Sequence, residues 1–164
     1  MIEAKSNRGK EVSRRKRSGS IVQTIIRSRT ILFVDGELFI QRARRIIFEA
    51  LGYCVLTVTS GEEALASLRS NIVDAVVLDY QMPGMNADTV AAKMKSINSH
   101  VPIMLLSAYG PLPKNKLRSV DSFLSKSQPP NILLSTLRGL LDDQHKPFFS
   151  RWLDQWKNRN QVKP

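Results

Sequence analysis

Between residues 30 and 141 the chain alternates short apolar runs with segments of helical periodicity, and this alternation restricts its fold more than any other feature. The apolar runs hold Val, Ile, Leu and Phe at consecutive positions, which is typical of strands buried on both faces of a sheet. The segments between them repeat apolar residues every three or four positions, as amphipathic helices do. Strands are predicted at 31–34, 53–58, 75–78, 103–106 and 123–124, and helices at 38–51, 87–97 and 131–141.

Local signals place the remaining helices. Ser60 with Glu63 forms a capping-box pattern that opens a helix after the second strand. The irregular stretch before the fifth strand has room for only a short helix near 114–120. Gly52 stops the first helix, whose apolar residues Ile40, Ala43, Ile47 and Ala50 fall at helical spacing.

Strands that alternate with helices form a parallel sheet with helices on both faces. The connections between parallel strands are almost always right-handed, which leaves few possible topologies. The sequence therefore predicts an α/β fold, a flavodoxin-like doubly wound sheet of five parallel strands in the order 2-1-3-4-5.

The two ends of the chain fall outside this pattern. The formal net charge is +11, and much of the excess lies before Thr30, where nine Lys and Arg residues face two acids. Residues 1–28 lack apolar periodicity, which predicts a basic, disordered tail. The domain is then expected over residues 29–141, followed by an extension over 142–164.

The extension contains both tryptophans of the chain. Phe148, Trp152 and Trp156 recur at every fourth position, which predicts a short amphipathic helix. Its apolar face would pack onto the domain itself, or dock a partner protein or a second copy of the chain. An interfacial helix of this composition also suits a membrane surface, a use that the sequence favours least.

Polar side chains follow the predicted strands at their carboxyl ends. Asp35 and Glu37 follow the first strand, Asp79 the third, Ser107 the fourth and Lys126 the fifth. In a doubly wound sheet these positions converge on one edge. Asp79 alone is equally readable as a helix cap. Acids beside a hydroxyl and an ammonium instead favour phosphoryl transfer to a carboxylate, with Mg²⁺ bridging the acids and the phosphoryl oxygens.

These segments resemble the receiver domain of bacterial two-component response regulators, over about residues 29–141. The resemblance implies a phosphoaspartate at Asp79, formed from a phosphohistidine on a sensor histidine kinase or a phosphotransfer protein. By the same resemblance Ser107 bonds the phosphoryl group, Lys126 pairs with it, and Phe123 swings inward on activation. The segments that carry it are Ile31–Glu37, Val76–Met85, Leu105–Tyr109 and Phe123–Lys126.

The resemblance also implies a Mg²⁺ site formed by Asp35, Asp79 and the backbone carbonyl of Gln81. One departure concerns this ion: the family usually has two adjacent acids after the first strand, and Gly36 stands in place of the second, the acid that touches Mg²⁺ directly. Loss of that carboxylate predicts weakened Mg²⁺ binding. Glu37, one position later, is a possible replacement ligand.

Two functions follow from these observations. The first is a stand-alone receiver in a phosphorelay, which signals by docking to an unknown downstream protein or to a second copy of itself as a homodimer. The second, suggested by Gly36, is a degenerate receiver that works as an interaction module without phosphorylation. Nucleic-acid binding through the basic arm is disfavoured, because no helix-turn-helix or zinc pattern follows and no aromatic residues interleave the tail.

Other classes of protein are excluded by what the sequence lacks. It holds no Gly-rich phosphate loop and no nucleophile elbow, so no enzyme is predicted beyond the chemistry at Asp79 itself. It has no apolar run of the roughly 18 residues that span a bilayer and no secretory signal. The single cysteine, Cys54, excludes an internal disulfide and is expected to be buried. A cytoplasmic protein is predicted.

Overall fold

The computed structural model describes residues 28–143, where strands and helices alternate as the sequence predicts. Most elements differ from their predicted bounds by one or two residues. The elements are β1 (Thr30–Val34), α1 (Leu38–Ala50), β2 (Cys54–Val58), α2 (Gly61–Ser70), β3 (Ala75–Asp79), α3 (Ala87–Ile97), β4 (Ile103–Ser107), a 3-10 helix (Lys114–Leu117), β5 (Ser122–Ser125) and α4 (Pro130–Asp143).

The five strands form one parallel sheet in the order β2-β1-β3-β4-β5, which confirms the predicted topology. The register keeps the carboxyl ends of the strands nearly level. Asp79 at the end of β3 pairs with Leu106, and Ser107 at the end of β4 pairs with Ser125. Residues that end these strands therefore meet at one edge of the sheet.

The sheet separates two apolar layers. Every residue of β1, β3 and β4 is buried, as the consecutive apolar runs predict. Leu32 and Val34 pack toward α2 and α3, whereas Ile31 and Phe33 pack toward α1 and α4. Fully burying one such side chain contributes about 1.5–3 kcal/mol, so these strands hold the sheet edge in place.

Helix α1 is set on the sheet differently from what its apolar spacing suggests. Its buried residues are Gln41 and Phe48, whereas Ile47 is 52% exposed. Gln41 takes an inner position because its Nε2 donates hydrogen bonds to the backbone carbonyls of Asp35 and Val58. Ile47 and its neighbours instead line an open cavity of about 390 Å³ between α1 and α4.

One burial prediction is wrong. Cys54 is exposed, and the buried position of this segment is the next residue, Val55. Cys54 begins β2, an outermost strand of the sheet, so it has a neighbouring strand on one side only. An apolar run alone does not distinguish an outer strand from a central one.

Both predicted terminal segments lie largely outside the described residues. The basic tail (1–28) and the aromatic helix around Trp152 and Trp156 therefore stay predictions. Helix α4 continues to Asp143, two residues beyond its predicted end. Within the described part of the chain, no helix has the length and apolar character needed to cross a membrane.

Candidate functional site

The carboxyl edge of the sheet brings two buried acids to one ammonium group. Lys126 Nζ lies 2.8 Å from Asp79 Oδ2 and 3.6 Å from Asp35 Oδ2. Asp35 is fully buried and Asp79 is 3% exposed. Charges withdrawn from water to this degree are stable only when they are paired and hydrogen-bonded. The convergence expected from the order of the strands is thus present in the fold.

Asp79 does not cap the following helix. The N-cap residue of α3 is Asn86, seven positions further on, so the reading of Asp79 as a cap is wrong. Its Oδ2 accepts a hydrogen bond from Lys126, and its Oδ1 accepts one from the backbone N–H of Gln81 at 3.2 Å. The turn after it is made by Gly84, whose φ of +88° suits glycine. Asp79 is therefore presented to the edge by a buried strand and a fixed loop.

Asp35 has a partner that the sequence did not reveal. Its Oδ1 accepts the backbone N–H of Glu37 at 3.0 Å, and its Oδ2 accepts Nη1 of Arg44 at 2.6 Å. The guanidinium also lies over the ring of Phe33, 5.9 Å from its centroid. Arg44 is one helical turn after Gln41, so the polar face of α1 points at the acid. That spacing, three residues apart, was the signal available in the sequence.

The remaining predicted residues, Ser107, Phe123 and Glu37, differ in their burial and contacts. Ser107 is fully buried, and its Oγ accepts the backbone N–H of Tyr109 at 3.0 Å. Phe123 is half-buried and packs against the apolar layer beneath α2 and α3. Glu37 is exposed at the start of α1, where its side chain makes no capping hydrogen bond. The structure therefore brings Asp79, Asp35, Ser107 and Lys126 together and leaves Glu37 at the rim.

Backbone hydrogen bonds fix the loops that carry these groups. The N–H of Lys126 donates to the carbonyl of Ser107, and the N–H of Tyr80 donates to that of Leu106, both at 2.7 Å. Further out, Lys116 Nζ lies 3.0 Å from Asp88 Oδ2, which ties the 3-10 helix to α3. This hydrogen bond raises the pKa of Lys116 above its ordinary value.

The residues at the edge offer enough oxygen ligands for Mg²⁺, but their negative charge is already balanced by cations of the chain. Two carboxylates and the carbonyl of Gln81 would be enough ligands by count, since the ion keeps several waters. Each carboxylate, however, is already bonded to a cation, Asp35 to Arg44 and Asp79 to Lys126. Among residues 28–143 no group of three or more His, Cys, Asp or Glu side chains is placed to hold a metal ion. The pocket is therefore not fitted to Mg²⁺ as it stands.

Gly36 lies beside the loop that follows β3. A Cβ atom added there would stand 3.3 Å from Cδ of Pro83, a tight contact that requires a small shift of the loop. An acidic residue at position 36 would therefore fit only if the loop that holds Pro83 moved slightly.

Comparison with known proteins gives a consistent family assignment for most of the chain. Residues 31–138 match the model of the response regulator receiver domain. A probable transcriptional regulator, ycf27 of Guillardia theta, is 30% identical over 127 residues, which are 75% of this chain and 49% of the relative. The chain thus spans about half the length of that curated relative.

Solved structures share both the fold and part of the sequence. The response regulator TrrA of Thermotoga maritima, in complex with Mg²⁺ and BeF, aligns with a TM-score of 0.64 and 30% identity, covering 68% of this chain and 98% of that chain. TrrA in complex with the histidine kinase ThkA aligns with a TM-score of 0.64 and 31% identity, covering 69% and 98%. At these identities the similarity extends beyond the fold.

Proposed function

This chain belongs to the family of response regulator receiver domains, and we propose that it accepts a phosphoryl group on Asp79 in two-component signalling. The observation that carries the proposal is the buried Asp79 carboxylate 2.8 Å from Lys126 Nζ, beside Asp35 and Ser107. The ammonium stabilises negative charge as it develops on the transferred group.

The chemistry assigned to the pocket is a single displacement. A carboxylate oxygen of Asp79 attacks the phosphorus of a phosphohistidine, the P–N bond breaks, and the imidazole nitrogen keeps the electron pair. The product is an acyl phosphate on Asp79 and a neutral or protonated imidazole on the donor. Lys126 and Ser107 are the groups proposed to bind the phosphoryl oxygens, and Phe123 is proposed to respond to them. No separate substrate is turned over, so this is a signalling module.

A histidine kinase or a phosphotransfer protein is the proposed donor. The complex of TrrA with the histidine kinase ThkA supports this kind of partner. Output is proposed to occur in the cytoplasm, by docking to a further protein. A homodimer is an alternative form of the same output.

Weak Mg²⁺ binding is part of the proposal. Receiver domains generally bind this ion, as the Mg²⁺–BeF complex of TrrA illustrates. Any Mg²⁺ that did bind would be held by Asp35, Asp79 and the carbonyl of Gln81, with Glu37 at the rim as the candidate for a fourth ligand. The loss of an acid at Gly36 and the cations already bonded to both carboxylates oppose the ion.

A degenerate receiver is the second candidate function, and the same two features favour it. In that case the fold would serve as an interaction module, and Asp79 would carry no phosphoryl group. The two candidates differ in what replacement of Asp79 does to signalling. Asp79→Ala abolishes output in the first and leaves it intact in the second.

The direct test is incubation of the whole chain with acetyl phosphate or a phosphorylated kinase, followed by peptide mass mapping. We expect the mass of one phosphoryl group on the peptide that contains Asp79. Asp79→Asn should remove it, and Asp142→Asn, a change at an exposed acid, should not. Absence of the modification with both donors, with and without Mg²⁺, would exclude phosphoryl acceptance and leave the interaction module.

A further inference from the structure

We propose that Arg44 is the resident cation of this pocket, so that the acceptor site works without a divalent metal ion. The inference rests on the proposed phosphoryl acceptance for its function, whereas the exclusion of the metal is a property of the pocket itself. Four charges carry it: the carboxylates of Asp35 and Asp79, the ammonium of Lys126 and the guanidinium of Arg44.

The two cations balance the two acids. Nη1 of Arg44 lies 2.6 Å from Oδ2 of Asp35, the shortest ion pair at the edge of the sheet. Lys126 Nζ bridges to the same oxygen at 3.6 Å and to Asp79 at 2.8 Å. The result is a continuous row of alternating charge with two acids and two cations, so the row has no net negative charge to attract a further cation.

Arg44 is built into its position. Its side chain is 15% exposed, and it crosses the ring of Phe33, a residue of the buried strand β1. Helix α1 is itself fixed at this level, because Gln41 donates to the carbonyls of Asp35 and Val58. The guanidinium therefore approaches Asp35 from an anchored helix and not from a flexible surface chain.

The position of Arg44 conflicts with a metal ion on Asp35. A divalent cation would have to take an oxygen that already accepts an N–H from the guanidinium, or stand close to that positive charge. The side of Asp35 where an acid would add negative charge holds Gly36 instead, against Pro83. The pocket thus holds the guanidinium of Arg44 beside Asp35 and has no acid at position 36, and both features disfavour Mg²⁺.

A purely structural role is the competing explanation for Arg44, since a buried acid needs a partner for stability. Stability measurements alone do not separate the two explanations. The affinity for Mg²⁺ does separate them. If Arg44 only stabilised the fold, its replacement would not be expected to raise that affinity, nor would the increase be expected to depend on the residue at position 36.

The deciding experiment is calorimetric titration of the whole chain with Mg²⁺. We expect the unmodified protein to show no saturation in the low millimolar range, and Arg44→Gln to bind Mg²⁺ at least tenfold more tightly. Arg44→Lys keeps the charge and should behave like the unmodified protein. Arg42→Gln, on the exposed side of the same helix, is the matched control and should change nothing.

Gly36 supplies a second route that leaves Arg44 in place. Gly36→Ala measures the effect of the Cβ against Pro83, and Gly36→Asp adds the carboxylate. We expect Gly36→Asp alone to gain less affinity than the double variant Gly36→Asp/Arg44→Gln. Equal affinity of the single and double variants, or tight Mg²⁺ binding by the unmodified protein, would overturn the role of Arg44. Thermal unfolding curves of each variant establish that it is folded.

Phosphoryl uptake gives the functional readout. We expect labelling of Asp79 by acetyl phosphate to proceed at rates within about threefold in Mg²⁺ and in a chelator. Labelling that requires Mg²⁺ would overturn the inference and leave the proposed function standing. Absence of labelling in both conditions would overturn the proposed function, and the metal titrations would still decide what Arg44 excludes.

Discussion

The two halves of the pocket carry different sets of charged residues. On the side of β3, β4 and β5, the residues Asp79, Ser107 and Lys126 stand where the receiver family is expected to have them. On the side of β1 and α1, Gly36 stands where the family usually has an acid, and Arg44 pairs with Asp35. The first half holds the residues proposed to accept a phosphoryl group, whereas in the second half the charge of Asp35 is balanced by Arg44.

This difference shows that the two buried acids take their closest cations from different elements: Asp79 from the loop after β5 and Asp35 from α1. Asp79 pairs with Lys126 at 2.8 Å, whereas the same ammonium lies farther from Asp35, at 3.6 Å. Asp35 is served from another element, because Arg44 reaches it from α1. Variants on each side should therefore have effects that differ in size and in kind.

The largest effect is expected at Lys126, which both halves share. Within residues 28–143, Lys126 is the only charged group that contacts both acids of the row, and Lys126→Met leaves Asp79 without a contacting cation there. Breaking a buried pair in this way costs about 3–5 kcal/mol, and urea unfolding would measure it. Lys93→Met, at an exposed position of α3, is the control, with an expected change within about 0.5 kcal/mol. Equal losses in the two variants would show that the row of charges does not stabilise the fold.

A smaller effect is expected on the β1 side. Arg44→Gln should lower the free energy of unfolding by about 1–3 kcal/mol, since Asp35 keeps Lys126 and the N–H of Glu37 as partners. Urea unfolding with Arg42→Gln as the control measures the loss. If Arg44→Gln costs more than Lys126→Met, the two halves are coupled more tightly than the distances indicate.

Ser107 tests the acceptor half with little change in charge. Its Oγ accepts one hydrogen bond, from Tyr109, so Ser107→Ala should cost about 1 kcal/mol in the free energy of unfolding. The same variant should reduce the labelled fraction of Asp79 if the hydroxyl binds the phosphoryl group. Peptide mass mapping reports the labelling, and Ser96→Ala on the exposed side of α3 serves as the control. Unchanged labelling would remove Ser107 from the acceptor half.

The smallest effect lies outside both halves, at the start of α2. Backbone and side-chain hydrogen bonds from Thr59 hold the pKa of Glu63 below its ordinary value of 4.5. The lowered pKa means that this carboxylate stabilises the folded state above pH 4.5. The stabilisation is lost as the pH falls from there through the folded-state pKa. Glu63→Gln should flatten the acid limb of a stability–pH curve slightly, and a curve that does not change would contradict the assigned contacts.

Much of this architecture was readable because it depends on local patterns. The buried strands follow from consecutive apolar residues, and Asp79, Ser107 and Lys126 follow from their place after those strands. The helix start at α2 was also predicted from the capping-box pattern, and the structure confirms its first half: Ser60 Oγ accepts the N–H of Glu63. The carboxylate of Glu63 bonds one residue earlier than that motif implies, at the N–H of Thr59.

What the sequence concealed depends on contacts between distant elements. The apolar spacing of α1 predicts that its hydrophobic residues face the sheet. In the structure Gln41 faces inward instead, where its Nε2 donates to the backbone carbonyls at the ends of two strands. Arg44 follows Gln41 to the same face at a spacing of three residues, but that spacing points to Asp35 only once Gln41 is known to face inward. Cys54 was misjudged for a similar reason, because its exposure results from the position of β2 in the sheet.

The cavity between α1 and α4 gives the pocket one more property. Arg44 and Lys126 both line that cavity, whose walls are mainly apolar side chains such as Ile40, Leu133 and Leu134. Ion pairs that are largely shielded from water are screened by dissolved salt much less than exposed pairs. The charge balance around Asp79 should therefore persist as ionic strength rises, in conditions where the surface charges of the same domain are screened.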